Sequence, residues 1–401
     1  MTKPALNVFA AGEASGVLDR SDREEDTILF TYAKDCPAQN AVSLTMPVRA
    51  DQYDAMAGLL PVFEMNLPEG GLKDRLRLQF AKAIPEFDDL DMLAIVGSSQ
   101  IGRLRYSHQD RLSEDVPEQD LAEILTYRGS ADLFEHLLER FATYSGISGM
   151  QPKVLMRELR TEKVTHRGAT HIVKAFDAAR FPELAANEFI CTRGAAAAGI
   201  ATAHVQLSEN RQLLVVDRFD LTPQGEYLGI EDFCVLDARR AHGRYDGSYE
   251  QIARRIGNYV SPAAIGQARE QYALMVAYAC AIENGDAHLK NFSVLYRHAE
   301  DLVELAPAYD MVSTTPYEPR DSMALMLDGS KEFPNRVRLL KFIRTVTGKS
   351  ERSAIRLIDQ VATGVRAVIE LAGQYAREHK DAAAFTEKLT AAMQRGLGRL
   401  T

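Results

Sequence analysis

The stretch Asn284-Gly-Asp-Ala-His-Leu-Lys-Asn291 decides how this chain is interpreted. It follows the apolar segment Ala273–Ile282, which predicts a buried helix. Gly, Asp and Asn are common in loops, so a polar loop after a helix is the simplest interpretation. Asp286, however, precedes Asn291 by five positions. That spacing lets one side chain reach an incoming hydroxyl while the other reaches a Mg²⁺ ion beside phosphates.

The sequence after Asn291 predicts a hairpin that returns a second carboxylate to this loop. An alternating strand, a polar turn and a second strand follow one another at Phe292–Tyr296, Arg297–Asp301 and Leu302–Leu305. The hairpin would deliver Asp310 beside Asp286 and Asn291, although a strand ending in a turn aspartate is the alternative. Magnesium is a hard cation that prefers carboxylate oxygens, and kinases use this layout to hold it between phosphates.

Kinases also need a lysine on a strand, and Thr170–Phe176 offers Lys174. Its side chain would point at the ATP phosphates, whereas a lone lysine is more often a surface residue. The helix Pro182–Ala198 carries Glu188, which is a candidate partner for this lysine.

The loop Ser145–Lys153 precedes that strand and contains Gly146 and Gly149. Glycines let backbone N–H groups approach phosphate oxygens closely, and Lys153 adds positive charge. Downstream, the apolar strand in Gln212–Asp220 ends in a charged, aromatic segment, where a kinase hinge would offer backbone groups to adenine. Glu231–Cys234 then predicts the start of a helix with acidic residues at its positive end.

The composition of the chain argues against several classes of protein. The 401 residues carry a formal net charge of −9, which argues against unaided binding to nucleic acid. Four widely spaced cysteines, none in a C-x-x-C arrangement, argue against a zinc site or a disulfide framework. Neither a signal peptide nor a membrane-spanning stretch is recognisable, so we expect a cytoplasmic protein that does not bind membranes.

The predicted fold class is α+β: a two-lobed, protein-kinase-like fold with a small N-terminal α+β subdomain and a mainly helical C-terminal lobe. The subdomain covers residues 1–106, and its end at Ile95–Leu104 predicts a hairpin around Gly97. A linker and helices follow at 107–144. The ATP-binding part of the N-lobe is expected at 145–235, and the helical lobe with the catalytic loop at 236–401.

The ordered set of segments resembles HipA-type kinases. The resembling segments are Ser145–Lys153 (S-x-x-G-x-Q-x-K), Thr170–Lys174 (H-I-x-K), Asn187-Glu188, Val215–Asp220 (V-x-R-F-D), Glu231–Cys234 (E-D-x-C), Asp286–Ser293 (D-x-H-x-K-N-F-S) and Tyr309-Asp310. Single motifs of this kind are weak, whereas their order along residues 145–313 is specific. The segment before residue 106 resembles the N-terminal subdomain of such proteins.

This resemblance implies a serine/threonine kinase that is the toxin of a bacterial toxin–antitoxin pair. Known members phosphorylate aminoacyl-tRNA synthetases and autophosphorylate on a serine of the glycine loop. Their partner is a small helix-turn-helix antitoxin, through which DNA is contacted only indirectly. ATP and Mg²⁺ are the implied cofactors.

The candidate site groups residues by role. The catalytic candidates are Asp286 as base and Lys290, and the metal ligands are Asn291 and Asp310. The ATP-binding candidates are Gly149, Gln151, Lys153, Lys174, Asp217, Phe219 and His288.

The chain departs from the family pattern in the glycine loop. The serine that long-form toxins phosphorylate, three residues before Gly149, is replaced by Gly146. Ser148 matches a serine of short-form relatives and is the autophosphorylation candidate, with Ser145 as a further possibility. Two rival functions stay open: a small-molecule kinase of the aminoglycoside or choline type, and an inactive scaffold that binds antitoxin and DNA.

Overall fold

A computed structural model describes residues 3–21, 27–55, 58–84, 86–112, 116–128, 132–148, 153–158 and 169–401. The chain forms two compact units, each assembled from several stretches. Unit 1 contains Met1–Ala175, Ser208–Ala241 and Leu295–Leu302, and unit 2 contains Phe176–Leu207, His242–Val294 and Val303–Thr401. The predicted domain boundaries at residues 106, 144 and 235 stay predictions. They divide the sequence into consecutive segments, whereas each compact unit combines several separate stretches of the chain.

The strands are β1 Leu6–Ala10, β2 Glu13–Arg20, β3 Ile28–Tyr32, β4 Tyr53–Asp54, β5 Leu104–Ser107, β6 Glu118–Gln119, β7 Lys153–Glu158, β8 His171–Ala175, β9 Val205–Leu207, β10 Leu213–Asp217, β11 Gly229–Asp232, β12 Ser293–Tyr296 and β13 Glu304–Leu305. The helices are α1 Pro61–Glu64, α2 Gly70–Phe80, α3 Asp89–Val96, α4 Leu121–Leu125, α5 Asp132–Phe141, α6 Leu184–Ala197, α7 Phe233–Leu236, α8 Tyr249–Tyr259, α9 Ile265–Ala281, α10 Arg336–Thr347, α11 Glu351–Glu378 and α12 Ala383–Leu400. Short 3₁₀ turns include Ala241–Tyr245 and Leu289–Asn291.

The first sheet of unit 1 has the strand order β4-β3-β2-β1-β5. β1 and β2 are joined by Ala11 and Gly12, both at positive φ, which is the backbone that a two-residue hairpin turn requires. The inward side chains alternate along the strands, and Phe30 packs its ring at 5.1 Å from that of Phe63. This packing buries one face of the sheet in an apolar core.

The second sheet of unit 1 sets β6, β7, β8 and β10 side by side. β8 is antiparallel to both β7 and β10, and it is buried along most of its length. The predicted strand around Lys174 is therefore confirmed, and it lies in the interior of the sheet.

The predicted hairpin at Ile95–Leu104 is wrong. Helix α3 occupies the first part of this segment because Asp88 and Asp91 form a reciprocal capping box that starts a helix. Gly97 is required by close packing, since a Cβ there would lie 2.6 Å from the Tyr106 carbonyl oxygen of β5.

Unit 2 is mainly helical. α9 is buried from Tyr272 to Ala281, so the prediction of a buried helix is confirmed. α6 and α11 cross closely at Gly194 and Gly364, where a Cβ on Gly364 would come within 2.5 Å of the Gly194 carbonyl oxygen. Small residues at this crossing let the two backbones approach.

The predicted hairpin after Asn291 is present as β12 and β13, with the Ala306 N–H donating to the Ser293 carbonyl oxygen at 2.9 Å. The α+β fold class, with a mainly helical C-terminal part, is confirmed. Within the described ranges no helix has both the length and the apolar character needed to cross a bilayer.

Candidate active site

The loop after α9 is fixed by its own backbone and by the segment that follows Asp310. Glu283 adopts a φ of 55° and leads into Asn284, whose Oδ1 accepts from the Asp286 N–H at 3.0 Å. The Gly285 N–H donates to Thr314 Oγ1 at 2.9 Å. A Cβ on Gly285 would lie 2.0 Å from Asp321 Oδ2, so only glycine fits.

Asp286 projects from this loop with its side chain 55% exposed. Its Oδ1 accepts a hydrogen bond from the Tyr245 hydroxyl at 2.7 Å. A half-exposed carboxylate on a rigid loop is able to accept a proton from a bound hydroxyl.

His288 is buried beneath Asp286. Burial lowers the pKa of His288, and the positive charges of Arg244 and Lys290 lower it further, against the raising effect of Asp286 and Asp310. The imidazole is therefore neutral at pH 7. Its Nδ1 is buried and makes no hydrogen bond within the described part of the chain, which leaves a polar atom available to a ligand.

Lys290 and the loop's exit are held by Tyr309. The Tyr309 hydroxyl donates to the Lys290 carbonyl oxygen at 2.8 Å and also contacts Ser293 Oγ at 2.5 Å. The side chain of Lys290 is half-buried.

Asn291 and Asp310 are brought together by the hairpin. Asn291 Nδ2 donates to Asp310 Oδ2 at 3.3 Å, and Asn291 Oδ1 accepts from the His288 N–H at 3.0 Å. Asp310 has a φ of 55°, a left-handed conformation that aspartate tolerates better than most residues. These two side chains therefore lie within hydrogen-bonding distance of each other, as the sequence predicted.

The donor set at this point fits Mg²⁺. Within the described residues no three His, Cys, Asp or Glu side chains converge into a complete metal site. Mg²⁺ seldom needs one, because it is usually bound through one or two carboxylates together with substrate phosphates. Asp310 supplies a carboxylate, and Asn291 supplies an amide whose nitrogen end faces it.

A buried glutamate, paired with two arginines, anchors the start of the loop that carries Asp286. Glu283 is 3% exposed and accepts from Arg395 Nη2 at 2.5 Å, from Arg399 Nη1 at 2.9 Å and from Thr315 Oγ1 at 2.5 Å. Burial alone would raise the pKa of Glu283, but these hydrogen bonds and the arginine charges lower it below its ordinary value. Both arginines lie on α12, so the C-terminal helix holds the loop that carries Asp286.

Unit 1 carries the two lysines predicted to bind ATP. Lys153 begins β7 and pairs in register with Lys174 of β8, and both side chains are buried. Lys153 Nζ lies 3.4 Å from the Ser148 carbonyl oxygen, which ties it to the glycine loop. Glu188, the proposed partner of Lys174, is buried on α6 of unit 2.

The two serines in the described part of the glycine loop, Ser145 and Ser148, differ in their exposure to solvent. Ser145 is fully buried: its Oγ donates to the Phe141 carbonyl and accepts from the Leu155 N–H. Gly146 packs so closely that a Cβ would lie 2.0 Å from Gln100 Oε1. Ser148 is partly exposed, and its Oγ donates to Glu69 Oε1 at 2.5 Å. Gly149 and Gln151 lie outside the described residues.

Asp217 and Phe219 alternate along the chain with the two residues of a buried ion pair, Arg218 and Asp220, at the end of β10. Asp217 lies opposite His171, with 3.5 Å between Asp217 Oδ1 and His171 Nε2, and Phe219 is half-buried. Arg218 and Asp220 are both buried, and Arg218 Nη2 donates to Asp220 Oδ2 at 2.6 Å. This pair fixes the backbone of the predicted hinge.

The sequence interpretation missed Tyr245, Arg395 and Arg399. Each contacts the loop that carries Asp286, or the glutamate at its start, from a distant part of the chain: 41 residues separate Tyr245 from Asp286, and 112 separate Arg395 from Glu283. The acidic residue at the end of an apolar helix, Glu283, was the one local signal that a cationic partner was needed.

Comparison with known proteins gives the family. Residues 145–369 match the HipA-like C-terminal domain, and residues 6–107 match the HipA N-terminal domain. The chain belongs to the HipA family. The catalytic loop, the hairpin with Asp310, and both lysines lie inside the first of these two matches, whereas α12 lies beyond it.

One relative matches most of the chain. The chain is 27% identical to the candidate kinase Y4mE of Sinorhizobium fredii over 339 residues, which is 79% of each protein. It is 37% identical to the candidate kinase Y4dM of the same organism over 123 residues, 30% of this chain and 29% of that protein. This second match therefore spans less than a third of Y4dM.

A solved structure has the same fold. HipA of Shewanella oneidensis, determined with HipB and its operator DNA, is 20% identical and superposes with a TM-score of 0.67 over 98% of both chains. This agreement concerns the fold.

Proposed function

We propose that the chain is an ATP- and Mg²⁺-dependent protein serine/threonine kinase that acts as a toxin. One observation carries the proposal: Asn291 and Asp310, nineteen residues apart, meet at 3.3 Å where the hairpin returns to the loop that presents the half-exposed Asp286. A base, a hard-cation ligand pair and a rigid loop are the parts that phosphoryl transfer needs.

In the proposed transfer, Asp286 accepts the proton of a serine or threonine hydroxyl. The hydroxyl oxygen bonds to the γ-phosphorus of ATP, the bond from that phosphorus to the β,γ-bridging oxygen breaks, and ADP leaves. His288, held neutral by burial, contributes an unpaired Nδ1 to nucleotide binding rather than a charge. Lys290 adds positive charge near the transferred group.

Asp310 and Asn291 would hold Mg²⁺, which neutralises phosphate charge when bound. Asn291 would have to turn its amide so that Oδ1, now bonded to the His288 N–H, faces Asp310 instead of Nδ2. This rotation would break both hydrogen bonds of the amide, the one to Asp310 and the one from the His288 N–H, and would leave Oδ1 free to bind Mg²⁺.

Lys153 and Lys174 support nucleotide binding in unit 1. Lys153 and Lys174 are buried at paired positions on neighbouring strands, and two cationic side chains there would suit a multiply charged anion. Gly149, Gln151, Asp217 and Phe219 complete the proposed nucleotide-binding set, and Ser148 is the proposed acceptor for autophosphorylation.

The toxin assignment follows from membership of the HipA family. The Shewanella oneidensis relative was solved with HipB and operator DNA, and we extend this to a small helix-turn-helix antitoxin as the partner here. With a net charge of −9, the chain would contact DNA through that antitoxin. An aminoacyl-tRNA synthetase is the proposed class of substrate, and the cytoplasm the proposed compartment.

The test compares acceptors directly. The purified chain is incubated with labelled Mg-ATP and either a panel of purified aminoacyl-tRNA synthetases or a panel of aminoglycosides and choline, with Asp286→Asn as the inactive control. We expect label in a synthetase and none in the small alcohols. Label in an aminoglycoside or choline would identify a small-molecule kinase, and failure to bind Mg-ATP by calorimetry would identify an inactive scaffold.

A further inference from the structure

Tyr245 reaches the proposed catalytic base from another part of unit 2. It is the last residue of the 3₁₀ turn Ala241–Tyr245, just ahead of α8. Its hydroxyl donates to Asp286 Oδ1 at 2.7 Å. Hydrogen bonds to an ionised carboxylate are about twice as strong as those between neutral groups.

This hydroxyl is the side-chain donor that fixes the Asp286 carboxylate. His288 Nε2 lies 4.0 Å from the same Oδ1, too far for a hydrogen bond. Within the described ranges, no side chain other than Tyr245 donates a hydrogen bond to either oxygen of Asp286.

The ring of Tyr245 is itself fixed in position. It packs edge-to-face on His288, with 5.0 Å between centroids and an interplanar angle of 79°. The backbone N–H of His288 is bonded to Asn291 Oδ1 at 3.0 Å. The loop that holds the ring of Tyr245 is therefore the loop whose Asp286 side chain Tyr245 orients. The same loop carries the proposed metal ligand Asn291.

We propose that Tyr245 is a positioning residue for phosphoryl transfer. By engaging Oδ1, it holds the Asp286 carboxylate in one orientation and presents Oδ2 to the acceptor hydroxyl. The inference rests on the proposed function, because it takes Asp286 as the base. Correct orientation of a catalytic group matters strongly: a displacement of about 1 Å costs on the order of a hundredfold in rate.

The test is Tyr245→Phe, which removes the hydroxyl and keeps the ring on His288. The assay measures the ADP that the 401-residue chain releases from Mg-ATP, so that no protein substrate has to be known. We expect kcat to fall by about tenfold to a hundredfold. KM for ATP and the thermal midpoint should stay unchanged, because Tyr245 contacts the base and is substantially exposed.

Tyr249→Phe is the matched control. The Tyr249 hydroxyl donates to the Ala287 carbonyl at 3.0 Å in the same loop, but it is buried and touches backbone. We expect this variant to lose thermal stability and to retain kcat. If both hydroxyls had only a structural role, the thermal midpoint would fall in both variants. Tyr245→Phe would then not show a lower kcat together with an unchanged KM.

Each other outcome is decisive. If Tyr245→Phe has the wild-type kcat while the wild type turns over Mg-ATP, the positioning role is wrong and the proposed function stands. Faster turnover in the variant would show that Tyr245 blocks Asp286, and phosphate found on Tyr245 would make it an acceptor; both overturn the inference. If the wild-type chain does not turn over Mg-ATP at all, the proposed function itself is wrong.

Discussion

Lys153 and Lys174 stand directly opposite each other across the antiparallel strands β7 and β8, and both are buried. Like charges in this cross-strand position destabilise a sheet unless negative charge offsets them. An arrangement of this kind is suited to an anion with several charges, which the triphosphate of ATP provides.

Lys153→Ala and Lys174→Ala should each weaken Mg-ATP binding. Loss of one charge-assisted contact to phosphate should cost about 1.5–3 kcal/mol, or at least tenfold in Kd. Isothermal calorimetry measures the change. Lys34→Ala, at an exposed lysine of the same unit, should leave Kd unchanged; unaltered affinity in all three variants would place both buried lysines outside the nucleotide site.

Asp286→Asn and Asp310→Asn should each abolish phosphoryl transfer and leave the protein folded. Asp286 is largely exposed, and asparagine accepts the left-handed backbone at Asp310. Asp310→Ala should be inactive as well, and less stable by about 1 kcal/mol, because alanine is strained at a φ of 55°. Turnover assays and thermal unfolding separate the two effects, and near-normal turnover in either asparagine variant would contradict the assignment.

Glu283→Gln should destabilise unit 2 at neutral pH. Removing one partner of a fully buried ion pair costs about 3–5 kcal/mol, and we expect about 2 kcal/mol here because half of the Arg395 side chain is exposed. Urea unfolding at pH 7 measures the loss.

The same variant should respond differently to acid. The arginine contacts lower the pKa of Glu283 below its ordinary value of 4.5, so their stabilisation is present above pH 4.5 and is lost as pH falls through the lowered value. The stability difference between wild type and Glu283→Gln should therefore shrink in strong acid. A difference independent of pH would mean that the carboxylate charge is not what Arg395 and Arg399 bind.

Phosphate should appear on Ser148 and not on Ser145 after incubation with Mg-ATP. Ser145 is fully buried with its hydroxyl in two hydrogen bonds, whereas Ser148 is accessible. Phosphate on Ser148 would add a charge of about −1.5 to −2 beside Glu69, so it should break their hydrogen bond and move the loop. Mass spectrometry locates the site, with Asp286→Asn as control.

Glu69→Gln tests the repulsion separately. If the carboxylate drives the loop away after phosphorylation, the phosphorylated variant should bind ATP better than the phosphorylated wild type. Equal nucleotide affinity of the phosphorylated and unmodified wild type would show that phosphate on Ser148 does not affect ATP binding.

Local sequence predicted the elements around the site because each has a short-range signal. The alternation of Phe292–Tyr296 and the apolar run before Glu283 gave the hairpin and α9, and the spacing within the loop gave Asp286 and Asn291. The error at Ile95–Leu104 arose because glycine was taken as a turn signal. Gly97 instead follows a helix, and strand β5 passes too close for a side chain.

The order of the motifs and the family could be predicted from the sequence, and so could a set of candidate residues for binding ATP and a metal ion. Only the tertiary structure decided what holds those residues in place: Tyr245 on Asp286, Arg395 and Arg399 on Glu283, and the register that faces Lys153 with Lys174. The physical reason is that a buried carboxylate or a strand register is satisfied by whichever distant group the fold brings within hydrogen-bonding distance. Such a partner leaves no periodic or spacing signal in the sequence near the site.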